Sequence, residues 1–276
     1  MSHFLEYRFE DTPNFIGTFD ELPLWSASFG LLLLKHVELR PNLIVLDIGS
    51  GAGFPLLELA QRLGTSCKCY GVDPWENANG RAKLKIKNYG VANAEIISGT
   101  AGQLPFSTET VDLIVSNLGI NNFDDPVAVF AECSRVLKPG GQLALTTNLN
   151  GHWREFYRVF EETLNDLGLS NLVADLRNDE EHRGSIASIS KLFTDSGLPV
   201  SRLYEDQFEM RFLNGTAFLN HYFVKLGWLD SWKKIIPGLD QFNVFGQLEK
   251  NLNSYAAKRG GLTLTVPMAY IEGSKQ

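Results

Sequence analysis

Apolar and polar positions alternate in blocks through the first half of the chain, and each change of block marks an element. Leu43-Ile44-Val45-Leu46 is a continuous apolar run, the pattern of a strand buried on both faces. Pro55 to Leu63 reads as a helix, with proline in its first turn and Gly64 just past its end. Cys67 to Val72 is a second strand, Arg81 to Tyr89 a second helix stopped by Gly90, and Glu95-Ile96-Ile97 a short third strand. Val111 to Val115 is a fourth strand. Asp125-Pro126 opens a helix that runs to Leu137 and is ended by Pro139-Gly140-Gly141, and Leu143 to Thr146 is a fifth strand. Before them, a helix from Ser26 to Leu39 is closed by Arg40-Pro41. Strands alternating with helices of this length predict an α/β fold, doubly wound, with a parallel sheet and helices on both faces.

Past residue 150 the rhythm changes. Trp153, Phe156, Tyr157, Phe160, Leu164 and Leu167 recur at three and four residues, an amphipathic helix. Polar residues 178–184 read as a loop, Ile186 to Phe193 as helix, Pro199 to Phe212 as strand, and Leu262 to Val266 as a last strand. Residues 215–229 are rich in large apolar side chains, and the aromatics of 212–232 exceed what one helix face needs, which favours an apolar pocket. No repeat or linker interrupts the chain. It divides into a segment over 1–40 that covers the site, a core over 41–150, and a remainder over 151–276 with a substrate-covering insertion near 213–258.

Composition narrows the class. The chain has 276 residues, 44% hydrophobic and 21% charged, enough to bury a core and too apolar for disorder. A net charge of −7 without a block of Lys or Arg argues against nucleic-acid partners. The longest aliphatic run, Leu31 to Leu34, is far too short for a membrane span, and the first residues lack the regions of a signal peptide. Three cysteines without secretory context fit a reducing cytoplasm. Cys67 and Cys69 share a face of one strand and Cys133 lies apart, which reads as buried thiols and predicts no metal.

The chemistry is in Val45-Leu46-Asp47-Ile48-Gly49-Ser50-Gly51-Ala52-Gly53-Phe54. A buried strand ends near an acidic residue, and three alternating glycines turn the chain into a helix whose N-terminus offers free amides. A dinucleotide-binding turn fits poorly: Phe54 stands where its third glycine belongs, and Asp47 would repel a pyrophosphate. A carboxylate there suits a ligand that carries a cation. Asp73 ends the second strand, where an acidic side chain can accept from both hydroxyls of a ribose.

With these residues, the sequence resembles the class I S-adenosylmethionine-dependent methyltransferases, the methyltransferase-11-like group that includes ubiquinone and menaquinone C-methyltransferases. Besides the glycine loop, the resemblance rests on Tyr70-Gly71-Val72-Asp73-Pro74, on 99–106 leading into 111–117, and on Arg135-Val136-Leu137-Lys138-Pro139-Gly140-Gly141. It implies a Rossmann-like seven-stranded sheet, mostly parallel, whose antiparallel last strand pairs in a hairpin formed by 199–212 and 261–271. It implies that S-adenosylmethionine binds and S-adenosylhomocysteine is the product. Asp47 would hold the methionine amino group, Gly49, Ser50, Gly51 and Gly53 the methionine and ribose, with Phe54 beside them. Asp73 would take the ribose diol, and Pro74 and Ala101 the adenine. Asn117 and Leu118 would sit near the sulfonium. Thr100 stands where the family has an acidic acceptor for the adenine amino group, which leaves a weaker, neutral acceptor.

For the substrate the reading is a small, partly apolar metabolite, in a monomer or homodimer. Trp25, Asn122, His221 and Tyr222 are its candidate pocket residues, and Phe15 and Phe19 could join Trp25 in a lid. His152, just beyond the fifth strand, is the candidate general base, with helix capping as its alternative role. His182 reads as a solvated loop residue. Rival readings are an RNA or protein methyltransferase, a non-catalytic binding module that keeps the same glycine loop, and last a nicotinamide oxidoreductase.

Overall fold

The computed structural model describes residues 3–6, 12–13, 24–181, 183–236 and 241–276. Phe15, Phe19 and His182, named above, lie outside them. The chain divides into two compact units.

The larger unit holds 24–147, Ser185–Asp206 and Met268–Gln276. It opens with α1 (Leu24–His36) and continues β1 (Ile44–Ile48), α2 (Leu56–Leu63), β2 (Lys68–Asp73), α3 (Glu76–Tyr89), β3 (Ala94–Ser98), β4 (Val111–Asn117), α4 (Pro126–Val136) and β5 (Leu137–Asn148). The seven-stranded sheet has the order β3-β2-β1-β4-β5-β7-β6, with β6 at Val200–Phe212 and β7 at Leu262–Ser274. The first five strands pair in parallel, with Ile48 opposite Val72, Val45 opposite Leu113 and Ile114 opposite Leu143. β7 is antiparallel: the Gly140 N–H donates to the Lys275 carbonyl at 2.8 Å and the Lys275 N–H to that of Gly141 at 2.9 Å.

The apolar runs explain the core. Val45, Leu46, Leu113, Ile114, Val115 and Leu143 are fully buried, as strands covered on both faces must be. The chain leaves β1 for β2 on one side and returns to β4 on the other. The two loops after β1 and β4 therefore face the same crevice, the switch point where open α/β sheets bind ligands.

The smaller unit is helical, built from Asn148–Gly184 and Gln207–Pro267 with the short turn His3–Glu6. It contains α5 (Arg154–Asp166) and α6 (Val173–Glu181). After α7 (Ile186–Asp195) of the larger unit come α8 (Gly215–Asn220), α9 (Tyr222–Gly227), α10 (Leu229–Ile235) and α11 (Gln241–Ala257). The apolar stripe of α5 packs Phe156 against Trp232 at 4.3 Å between ring centres and Phe160 against Phe245 at 5.8 Å.

Three expectations fail here for clear reasons. Strand β5 begins at Leu137, not Leu143: Gly140, at φ 77°, lets the backbone bend within the strand, and the exchange with Lys275 completes its ladder. Helix α3 starts at Glu76, a turn ahead of Arg81, with the Asn79 side-chain amide donating to the Asp73 carbonyl at 2.9 Å. The polar stretch 178–181 is the end of α6, because Tyr157 donates to Asp179 at 2.8 Å and Arg177 pairs with Glu161 across to α5. A solvated helix face resembles a loop in composition.

Candidate functional site

The site is assembled in the larger unit from the carboxyl ends of β1, β2 and β4. The glycine loop after β1 is held to the neighbouring strand end: the Gly49 N–H donates to the Val72 carbonyl at 2.9 Å, and the Gly51 N–H to Asp73 Oδ2 at 2.8 Å. Asp73 Oδ1 accepts from the Trp75 N–H at 2.8 Å. Each Asp73 oxygen thus spends one lone pair on the backbone and keeps another. Gly49 and Gly51 both have positive φ, and a Cβ at Gly51 would meet nothing within 4 Å, so the crest of the loop is open.

Behind the loop there is no slack. A Cβ at Gly71 would lie 2.7 Å from both Leu56 Cδ2 and Ser50 Oγ. Gly71→Ala is therefore expected to displace the loop, costing about 1–3 kcal/mol by thermal melting and weakening ligand binding there. A variant as stable and as tight-binding as the wild type would show that the loop yields freely.

Buried polar atoms mark the ligand side. Asp47 is 0% exposed, and among the described residues neither of its oxygens completes a hydrogen bond, although the Leu56 amide acts on it. Burial, and then the charge of Asp73, push its pKa well above the usual carboxylate range. Ser50 Oγ and Asn79 Oδ1 are likewise buried and unsatisfied. Native structures rarely leave such atoms without partners, because each costs about 1–3 kcal/mol. Two carboxyls, a hydroxyl and an amide oxygen around an open glycine crest suit a ligand with a cationic group and hydroxyls. The residues thus fit S-adenosylmethionine.

The loop after β3 is fastened from α4. Glu132 Oε2 accepts from the Leu104 N–H at 2.9 Å, and Arg135 donates to the carbonyls of Phe106 and Leu104 at 2.9 and 3.2 Å. The two side chains pair with each other at 2.7 Å, and that pairing draws the Glu132 pKa down. Within this loop Thr100 is exposed and Ala101 buried.

At the end of β4, the Asn117 amide donates to the Ser26 carbonyl at 3.0 Å, and its oxygen accepts from Thr146 at 2.8 Å. Its side chain ties α1 to the sheet. Leu118 stands at φ 67°, a conformation that costs about 1–3 kcal/mol and collects at ligand sites. The next residue, Gly119, lets the two loops meet, since a Cβ on Gly49 would be 3.3 Å from the Gly119 Cα.

The structure brings Asp47, Gly49, Ser50, Gly51, Gly53 and Asp73 into one cradle. Pro74 is exposed beside it, and Phe54 packs under Gly30 of α1, where a Cβ would be 2.3 Å from its ring. Trp25 is buried against Phe29 at 5.1 Å, and Asn122 is exposed. His152, His221 and Tyr222 belong to the other unit. The His152 ring lies 4.3 Å from Trp153 and 5.5 Å from Trp228, and burial, reinforced by Arg183, drives its pKa far below the ordinary value. His221 is half-buried, edge-on to Phe212 at 5.4 Å, with its pKa lowered by burial and then by Lys225. Phe218, Trp228 and Trp232 are consumed by packing among themselves and with α5.

The sequence carries no sign of the roles of Asn79 and Glu132, and shows Arg135 only as part of the stretch 135–141. The i, i+3 spacing of Glu132 and Arg135 was a visible signal; their grip on a distant loop was not. The three cysteines are buried, and Cys67 donates to the Arg40 carbonyl at 3.3 Å. No helix among the described residues is long and apolar enough to cross a membrane.

Comparison with known proteins bears on the same stretch. Residues 46–145 match the family described as Methyltransferase domain. The demethylmenaquinone methyltransferase of Lactococcus lactis is 34% identical over 133 residues, 48% of this chain and 51% of that protein. The arsenite methyltransferase of Halobacterium salinarum is 34% identical over 108 residues, 39% of this chain and 28% of that one. The chain thus spans about half, or less, of the length of these curated relatives. The YcgJ protein of Bacillus subtilis shares the fold, with a TM-score of 0.59 at 23% identity over 91% of this chain and 98% of its own. The glycine loop, the acidic ends of β1 and β2 and the strand order all fall inside or around the matched stretch. Over residues 46–145 the chain is thus similar to a methyltransferase domain, and this stretch also carries its resemblance to the class I S-adenosylmethionine-dependent methyltransferases.

Proposed function

We propose that the protein moves a methyl group from S-adenosylmethionine onto a small, partly apolar metabolite. The observation that carries this reading is the buried, unsatisfied Asp47 carboxyl beside an open glycine crest. Asp47 would hold the methionine amino group, and Gly49, Ser50, Gly51 and Gly53 the methionine and ribose, with Phe54 at their edge. Asp73 would receive the ribose hydroxyls on the lone pairs its backbone contacts leave free. Pro74, Ala101 and the neutral acceptor Thr100 would border the adenine. Asn117, through the backbone it steadies, and Leu118 would shape the methyl end. When bound, S-adenosylmethionine supplies an electrophilic methyl group for in-line displacement. The chain supplies alignment and exclusion of water, on the order of 7–11 kcal/mol.

Relatives named for demethylmenaquinone and arsenite support a small-molecule acceptor, and the first supports an apolar one. The net charge of −7 argues against RNA. The thiols argue against arsenite, since Cys133 lies on α4 and Cys67 is spent on a carbonyl. Trp25, Asn122, His221 and Tyr222 remain the candidate substrate contacts.

Incubating the protein and a host-cell extract with S-adenosylmethionine labelled in its methyl group, followed by size fractionation and mass spectrometry, tests the reading. Label in the low-mass fraction supports it; label on RNA or protein overturns the substrate class. No transfer with S-adenosylhomocysteine still bound would favour a binding module.

His152 is proposed as the base where the acceptor arrives protonated. Burial and Arg183 keep its imidazole neutral but also weaken it as a base, so the role rests on its place just beyond β5. His152→Ala is expected to lower kcat about 100-fold while leaving S-adenosylhomocysteine affinity unchanged. Turnover equal to wild type would remove His152 from the mechanism.

A further inference from the structure

Asp47 is opposite Gly71 on β2 and Val115 on β4, with solvent excluded from both of its oxygens. Among the described residues, the groups that act on it include no cation. From β2 come Asp73, whose charge acts on it, and the thiol of Cys69, which feels the charge of Asp47 in turn. Beyond Val115 on β4 follow the uncharged Ser116 and Asn117, whose side chains bond the Ile48 and Ser26 carbonyls. The start of α2 contributes only the Leu56 amide. Lys85 of α3 places its ammonium on the Ala52 carbonyl at 2.7 Å. A carboxylate in this setting has lost its water and gained a like-charged neighbour, so the empty site favours the neutral acid. An ammonium brought to the same place reverses that preference.

We propose that cofactor binding is coupled to proton release: Asp47 is held as the carboxylic acid in the empty protein and surrenders its proton when the ligand's ammonium group enters. This rests on the cofactor reading given above. The O–H bond of Asp47 breaks, the proton passes to the buffer, and the carboxylate pairs with an ammonium that keeps its own protons. No bond to the ligand forms, and no oxidant or other reactant is needed. Because only the ionised form pairs, apparent affinity scales with the ionised fraction and rises with pH until Asp47 is ionised in the free protein. The rise approaches about tenfold per pH unit while the acid form predominates.

Titration calorimetry of the full chain with S-adenosylhomocysteine tests this, in buffers of one pH and different ionisation enthalpies. The slope of observed heat against buffer ionisation enthalpy is expected to show net proton release on binding. 5′-Methylthioadenosine, which has no amino group, is expected to bind without release. Asp47→Asn mimics the neutral acid and is expected to abolish the release with S-adenosylhomocysteine. A wild-type slope of zero, or one that Asp47→Asn leaves unchanged, overturns the coupling. If that variant fails to fold, equal release with both ligands on the wild-type protein overturns it as well. Failure of both ligands to bind would instead overturn the cofactor reading.

Discussion

Asp73→Ala is expected to weaken S-adenosylhomocysteine binding by about 100-fold or more, close to 2.7 kcal/mol. Two losses combine. The ribose hydroxyls lose a charged acceptor, and hydrogen bonds to charged groups contribute about 1.5–3 kcal/mol. The Gly51 and Trp75 N–H groups lose the oxygens that fix them at 2.8 Å, so the loop no longer waits in the shape the ligand needs. Asp73→Asn separates the two. It keeps one acceptor oxygen and nearly the same shape but no charge, so it should melt near wild type and still bind about tenfold more weakly. Calorimetry with S-adenosylhomocysteine and thermal melting measure both variants. Should Asp73→Ala bind within about threefold of wild type, Asp73 does not hold the ribose.

The chain's text made some of this legible and hid the rest for physical reasons. β1 and β4 were plain because both of their faces are covered, so their apolar runs are unbroken. The glycine loop was plain because positive φ at Gly49, Gly51 and Gly53 selects glycine at a spacing few other turns share. β5 begins earlier than its composition suggests, because Pro139-Gly140-Gly141 reads as a loop while Lys275 and the pairing of Leu137 with Val111 keep it in the sheet. Asn79 and the Glu132–Arg135 pair were hidden for the same reason. Their partners, the Asp73 carbonyl and the loop 99–106, are set by tertiary packing and leave no local pattern.

His152 shows the limit from the other side. Its place after the fifth strand predicted chemistry, and position along the chain was all the sequence offered. The rings against it are Trp153, the residue beside it, and Trp228, far along the chain, and its basicity is set by burial and then by Arg183. The same rings decide the stability of the helical unit.

Trp153→Ala is expected to be among the most destabilising single changes in that unit, by about 3–5 kcal/mol, the usual cost of emptying a buried tryptophan site. Trp153 is fully buried at the entry to α5, with ring centres 4.5 Å from Trp228, 5.1 Å from Phe218 and 6.3 Å from Trp232. Its backbone stands at φ 53°, and its N–H donates to the Thr265 carbonyl at 2.8 Å. Because that anchor is a backbone bond, alanine keeps it, and the loss isolates the ring. The surrounding rings are large and rigid and come from α8 and from the cap and body of α10, so they cannot close over the hole without leaving their own contacts. For a chain of this size the loss corresponds to a fall in melting temperature on the order of 10 °C. Trp153→Phe keeps much of the packing and should lose less than half as much. Thermal melting of both variants, followed by tryptophan fluorescence and by circular dichroism, measures the difference. An alanine variant melting within about 2 °C of wild type would mean that the aromatic cluster repacks freely and does not hold the helical unit together.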